Sequence, residues 1–246
     1  MLDLDQAIRE RHSTRLFLPQ PVPRELVNEA LALAQYAPSN SNIQPWHMVF
    51  ASGASRDRLV AALIDEAQRR PPNIPPLPAS FQHFRSELGA QVYGAMGISR
   101  EDTARHAAAV LRNWEFFRAP VAGIVCMHRD LGPADALSVG MFLQTLLLAL
   151  TERGLGSCVE VSISGYPEIV RAQLAIPRNC RSCAAWQSAI PIQNFPQINY
   201  TSPASQSGRT WFSSTTNPRK PSLIPFVRSY CIARKCGTPM YVSVSS

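Results

Sequence analysis

Acidic residues are missing from the last third of the chain. The 17 Asp and Glu lie at or before Glu168, and none follows it. The segment 178–246 carries Arg and Lys without a counter-charge, so the formal net charge of +7 is largely a property of that segment. A basic excess confined to one anomalous stretch says little about the partners of the remaining chain. Long apolar runs are also missing: no 18 consecutive residues are apolar, so no membrane span is expected. The start, Met1 to Glu10, is charged and amphipathic and lacks the charged-then-apolar layout of a signal peptide, which points to the cytoplasm. Neither GxGxxG nor a Walker A pattern occurs, so the usual glycine-rich phosphate loops do not operate here. There is no internal repeat. The five histidines are dispersed and form no metal spacing. Cys180-x-x-Cys183 with Cys231-x4-Cys236 resembles a loose zinc pattern, but the second pair is poorly spaced, and the reading is free thiols and no metal.

What is present up to residue 177 has clear periodicity. Leu2 to Arg11 reads as a helix with Leu4, Ala7 and Ile8 on one face. Pro23 starts a second helix, with Leu26, Val27, Ala30, Leu31 and Ala34 at helical spacing, ending before Pro38. His47 to Ala51 is a predicted strand, and Ser55 to Arg69 a helix. The proline-rich stretch from Arg70 to Ala79 is extended or a loop. Helices are expected over Gln82–Gly97 and Ser99–Phe117, and a strongly apolar strand over Val121–Met127. Ala134 to Arg153 is a long helix too apolar to have one wet face, so it is expected to be central or at a subunit interface. A Gly154-Leu155-Gly156 cap follows, then a strand over Cys158–Ile163 and a helix over Tyr166–Leu174. Helices and strands mix without regular alternation, which favours α+β over a doubly wound parallel sheet.

Two polar segments carry the candidate chemistry. Arg11-His12-Ser13-Thr14-Arg15 sets guanidiniums and hydroxyls between apolar stretches, a donor set suited to phosphate oxygens. Read alone, it is better taken as a solvated helix end. Pro38-Ser39-Asn40-Ser41-Asn42-Ile43-Gln44-Pro45-Trp46 offers amides with both donors and acceptors, which suit the edge of a flavin or purine ring. Read alone, it is also an ordinary proline-bounded loop.

Together these segments resemble the nitroreductase family in order and spacing. Supporting matches are Phe116-Phe117-x-Ala119-Pro120 before the apolar strand, Gly140-Met141-Phe142-Leu143-Gln144 in the long helix, and Ser162-Ile163-Ser164-Gly165-Tyr166-Pro167 after Gly154-Leu155-Gly156. The resemblance covers about residues 1–177. It implies an α+β nitroreductase-like fold with a central, mostly antiparallel sheet flanked by helices. It implies a homodimer with FMN between subunits, NAD(P)H as co-substrate, and a small-molecule electron acceptor such as a nitroaromatic or quinone. Hydride passes through the flavin in ping-pong fashion, and no side chain acts as nucleophile. Arg11 and Ser13, with His12, are expected at the FMN phosphate. Arg15 is expected near the N1–O2 edge, stabilising the anionic reduced form. Pro38, Ser39, Asn40, Asn42 and Gln44 are expected around the cofactor, with Gln144 from the long helix and Ser162, Ile163 and Gly165 along the other side of the ring. Tyr93, Met96 and Phe84 either shape the substrate pocket or belong to the core.

After Pro177 the pattern departs from the family, and no strand or helix period is legible. Permitted codons for residues 178–217, read from the third base of the first codon, yield a hydrophobic strand, a glycine-tyrosine-proline turn and a basic residue, then a stop. Residues 1–177 thus read as an incomplete FMN-binding domain and 178–246 as an out-of-frame, poorly ordered tail whose loss of a core strand leaves a sheet edge open. The alternative function is then an inactive product with weak or no FMN binding. A third reading, single-stranded nucleic acid on tail aromatics Trp186, Tyr200, Trp211 and Tyr230, is set aside, because a changed frame explains the same composition.

Overall fold

The computed structural model describes residues 2–189, with residues 182–189 described as backbone only. The chain starts with helix α1 (Leu4–Glu10), closed at its front by a capping box between Asp3 and Gln6. Helix α2 (Arg24–Ala34) turns Val27, Ala30, Leu31 and Ala34 inward, the face expected from the spacing. Strand β1 (His47–Ser52) leads directly into helix α3 (Gly53–Arg69). Helix α4 (Gln82–Ala95) buries none of its residues, and Tyr93 lies against the His106 ring at a centroid distance of 3.8 Å. Helix α5 (Thr103–Leu111) is shorter than the sequence spacing predicts. The acidic pair stands before its first turn, where the Asp102 side chain accepts from Arg105 N at 3.0 Å as the N-cap. Past Leu111 the chain leaves helical geometry, because Phe116, Phe117 and Arg118 take φ of 52°, 49° and 64°.

Strand β2 (Val121–His128) has six buried residues in succession, as a central strand requires. Helix α6 (Pro133–Glu152) starts on Pro133 and ends at Gly154, whose φ of 73° fits glycine; Leu155 N reaches back to Leu150 O at 2.9 Å. Strand β3 (Gly156–Glu160) begins two residues earlier than predicted, and Ser162–Gly165 is a 3-10 turn rather than strand. Helix α7 (Pro167–Leu174) completes the predicted set.

Strand β4 (Cys180–Ala189) corrects the expectation that no strand follows Pro177. The sheet order is β1-β2-β4-β3 with every pairing antiparallel, so β4 sits between β2 and β3 instead of leaving an open edge there. The physical reason is backbone pairing. A bare gap between β2 and β3 would strand two rows of N–H and C=O groups, and a chain of any composition can satisfy them. The side-chain pattern of Cys-Arg-Ser-Cys-Ala-Ala carries little strand signal, so the sequence alone missed it. The expectations for the remaining tail, including the Cys231 and Cys236 pair, lie outside the described residues.

The sheet divides two cores. On one side α2 and α6 pack against Val125 and Met127, with Trp46 stacked on Phe142 at 4.7 Å and 14°. On the other, α3 and α7 pack against Ala122, Ile124 and Cys126 together with Trp114, Phe116 and Tyr166. By length and composition α6 is apolar enough to cross a bilayer, with a mean hydropathy of 1.5. It lies instead as a core helix, burying Asp135 and Ser138 along with Val139, Phe142, Leu146, Leu147 and Leu150.

Candidate functional site

The first candidate segment leaves α1 at Arg11 and runs in extended form beside the start of β3. Ser13 bridges Ser157 in parallel, and Thr14 N donates to Ser157 O at 2.9 Å. Gly156 is required there, since a Cβ would come within 2.7 Å of Thr14 Oγ1. His12 Nδ1 lies 2.7 Å from Glu10 O and donates to it, which leaves Nε2 to accept from the Thr14 hydroxyl at 3.5 Å. Thr14 is buried, whereas His12 and Ser13 are exposed and Arg11 and Arg15 half-buried. One buried residue thus pins a strip that presents two guanidiniums and an imidazole outward, while the Ser13 hydroxyl hydrogen-bonds with the buried Cys158 thiol. The Arg15 guanidinium rests over the Phe117 ring at 5.7 Å, and its Nη1 donates to Ser13 O at 3.3 Å.

The second segment follows α2 and is held by its own side chains. Ser39 Oγ accepts from Gln44 N at 3.0 Å, closing the loop. Asn40 fastens it to α6: its backbone N donates to Ser138 Oγ at 3.1 Å and its Nδ2 to Asp135 Oδ1 at 3.2 Å. Ser41, Asn42 and Gln44 take φ of 48°, 54° and 47°, a left-handed path that Asn tolerates better than most residues. Pro45 and Trp46 are buried and anchor the end of the loop, with Trp46 Nε1 donating to Gln35 Oε1 at 3.0 Å. Pro38, Asn42 and Gln44 are exposed, and no hydrogen bond is made by the Asn42 or Gln44 amide among the described residues. Asp135 and Ser138 were not anticipated as anchors. Their signal was available, since both are small polar residues in the first turns of a largely apolar helix.

The structure does not bring these segments together within one chain. The 38–46 loop is tied to the first turns of α6, while the 11–15 strip is tied to Gly156 and Ser157 beyond its end. Between Ser138 and Glu152 lie roughly 20 Å of helix, at about 1.5 Å per residue. Gln144 is exposed between these ends, on the face that also bares Gly140 and Leu137. Ser162 is half-buried beside β3. Ile163 and Gly165 are both buried. Ile163 is buried among core residues beside Trp114 and Tyr166, and Gly165 is covered by the proline-rich segment, where a Cβ would meet Pro72 Cβ at 2.5 Å. Asn73 N donates to Gly165 O at 3.0 Å and fixes that cover.

Under Arg15 lies Cys158, at 2% exposure. Burial pushes its thiol up to about 12, against a smaller opposing pull from the Arg15 charge. The thiol is therefore a neutral floor and not a nucleophile. No group of three or more His, Cys, Asp or Glu residues is placed to hold a metal among the described residues.

A cofactor carrying a phosphate and an amide-edged ring fits these donors: a cationic strip that also carries the Ser13 hydroxyl, and a rigid loop with two unengaged amides. A sequence model of the nitroreductase family matches residues 8–187. The chain is 36% identical over 186 residues to a nitrobenzene nitroreductase of Ectopseudomonas oleovorans, covering 71% of this chain and 80% of that protein. It is 35% identical over 185 residues to nitroreductase NfnB of Mycolicibacterium smegmatis, covering 71% and 79%. Among solved structures, the FMN-dependent nitroreductase NfnB from Mycobacterium smegmatis in complex with NADPH superposes with a TM-score of 0.75 at 31% identity, over 85% of this chain and 99% of that one. An FMN and NADPH-dependent nitroreductase NfnB from sphigopyxis sp. strain HMH gives 0.76 at 28% identity, over 81% and 93%.

Proposed function

The chain belongs to the nitroreductase family, and from that membership we propose that it is an FMN-dependent oxidoreductase that passes reducing equivalents from NAD(P)H to a nitroaromatic or quinone-type acceptor. The observation that carries this reading is the pair of outward-facing donor segments, whose residue types, order and rigidity suit FMN. FMN, when bound, would supply the redox chemistry, hydride transfer between the nicotinamide and the acceptor. The protein's part is to bind, orient and polarise. Arg11, His12 and Ser13 hold the phosphate, and the parallel pairing of Ser13 with Ser157 keeps their backbone extended toward it. Arg15 would lie toward the N1–O2 edge of the ring, where its fixed charge would offset the charge that reduction adds. Asn42 and Gln44 meet the polar edges of the ring, Ser39 and Asn40 hold the loop they sit on, and Pro38, Gln144 and Ser162 border the site.

The same reading makes the working unit a homodimer. The two donor segments stand at opposite ends of α6 in one chain, so a single cradle needs the strip of one protomer and the loop of its partner. Leu4 and Ile8 on α1 and Leu137 on α6 are 66%, 52% and 66% exposed, and α1 packs on α6. An apolar surface of this kind fits a subunit interface. The protein is placed in the cytoplasm.

The test is direct. Purified full-length chain is expected to be yellow or to become so on adding FMN, and to oxidise NAD(P)H when nitrobenzene is supplied. A colourless protein that gains no NAD(P)H oxidation with added FMN overturns the reading.

A further inference from the structure

We propose that Phe117 is a positioning residue for Arg15, and that the left-handed turn Phe116-Phe117-Arg118 exists to hold its ring beneath the guanidinium. The inference rests on the proposed placement of Arg15 at the flavin edge, but the ring–guanidinium contact stands on its own geometry.

Three consecutive residues with a Cβ in the left-handed region are costly, because each Cβ crowds a neighbouring carbonyl. Such strain persists only where surrounding contacts over-determine it, and it concentrates where geometry serves function. The turn is over-determined here. Phe117 N donates to Arg112 O at 2.9 Å, Arg118 N to Glu115 O at 2.9 Å, and Ala119 N to Phe116 O at 3.0 Å. Arg56 Nη2 also donates to Glu115 O, at 2.9 Å, tying the turn to α3.

The consequence is that adjacent aromatic rings enter different places. Phe116 is fully buried in the core beside Trp114. Phe117 goes the other way, to a small cluster with Phe17, Ala119 and Cys158, directly under the 11–15 strip. An ordinary helical continuation of α5 would space these rings about 100° apart along one spiral and could not seat both. In its seat Phe117 offers a ring face to the Arg15 guanidinium at 5.7 Å, within the range at which the negative face of the ring attracts a cation. The ring also removes water from one side of the guanidinium and limits its rotamers. Ser13 O takes one N–H of the fork, at 3.3 Å, which ties the guanidinium to the strip from a second side. Phe117 therefore fixes both direction and hydration of the cation that is to meet the flavin.

Two measurements test this. In flavin-free protein, the Arg15 side-chain protons are expected to show an upfield ring-current shift in NMR, lost in Phe117→Leu and kept in Phe117→Tyr. In flavin-loaded protein, Phe117→Leu is expected to reduce the preference for reduced over oxidised FMN about fivefold, a fall of roughly 20 mV for a two-electron couple. Progressive fluorination of the ring at this position keeps its shape, weakens its negative face, and is expected to lower the potential stepwise. A potential unmoved by fluorination, or absence of the ring-current shift, overturns the inference. If the unsubstituted chain holds no FMN, the proposed function falls, while the ring-current experiment still decides whether Phe117 positions Arg15.

Discussion

At the scale of single residues, Cys158 gives a sharp consequence of burial. Its ordinary value is 9.0, and the folded chain raises it to about 12, because the thiolate would lose its water. The folded state thus keeps the proton where the unfolded state releases it. The associated stability is fully present below about pH 9 and is lost as pH rises toward about pH 12. Urea-unfolding midpoints measured from about pH 8 to about pH 11 should fall with a component of up to roughly 1.4 kcal/mol per pH unit that is absent in Cys158→Ala. Identical pH slopes in the two proteins would contradict the burial. Ser39 gives a different kind of prediction. Its hydroxyl closes the loop onto Gln44 N, and a neutral hydrogen bond of this kind is worth about 0.5–1.5 kcal/mol. Ser39→Ala should weaken FMN binding roughly two- to tenfold with the melting temperature little changed, read by flavin fluorescence titration. The sequence marked Ser39 as a cofactor ligand; in the structure its oxygen accepts from Gln44 N, which leaves the hydroxyl proton free to donate. A short polar side chain can serve both purposes at once, and the position of Gln44 N decides only the first.

At the scale of elements, α6 connects most of the argument. Its apolar composition was read as central or interfacial, and the structure bears out the central part: Phe142, Leu146 and Leu150 face the core, while Leu137 is exposed. If that bare face is the subunit interface, Leu137→Glu places a charge where it must be desolvated on association. The expected outcome is a shift from dimer to monomer in sedimentation velocity, with FMN lost in parallel. A monomer that keeps full FMN affinity would separate the cofactor site from the interface. The helices and the strands β1, β2 and β3 were legible because their apolar spacing coincides with what they bury. The stretch after Leu111 was not. Its residues look helical in composition, and nothing local announces three left-handed residues in a row. That geometry is imposed by the separate seats of Phe116 and Phe117. Strand β4 was missed for a complementary reason, since its place is defined by the unpaired backbones of β2 and β3.

At the scale of the whole molecule, the separation of the two donor segments along α6 predicts complementation between protomers. A chain carrying Arg11→Ala and Ser13→Ala lacks the phosphate strip, and one carrying Asn42→Ala and Gln44→Ala lacks the ring loop. Each alone should bind FMN weakly, the first losing about 1.5–3 kcal/mol for each charged phosphate hydrogen bond removed and the second about 0.5–1.5 kcal/mol for each neutral amide bond to the ring. Unfolded together and refolded, they should form heterodimers with one intact and one doubly damaged site. Half-occupancy of the mixed dimers, counted by flavin absorbance, is the expected result; no recovery would mean that each cradle comes from one chain. The reading-frame change proposed near codon 178 belongs to this scale too, and a second determination of the nucleotides at codons 177–179 tests it. The sequence by itself determined the helices, three of the four strands, and the chemical character of both donor segments, because periodicity and residue type are local properties. Which donors face outward, which are spent on anchoring, and that the two segments are held at opposite ends of one helix were decided only by the tertiary structure, since these depend on which distant backbone or side-chain group reaches each atom first.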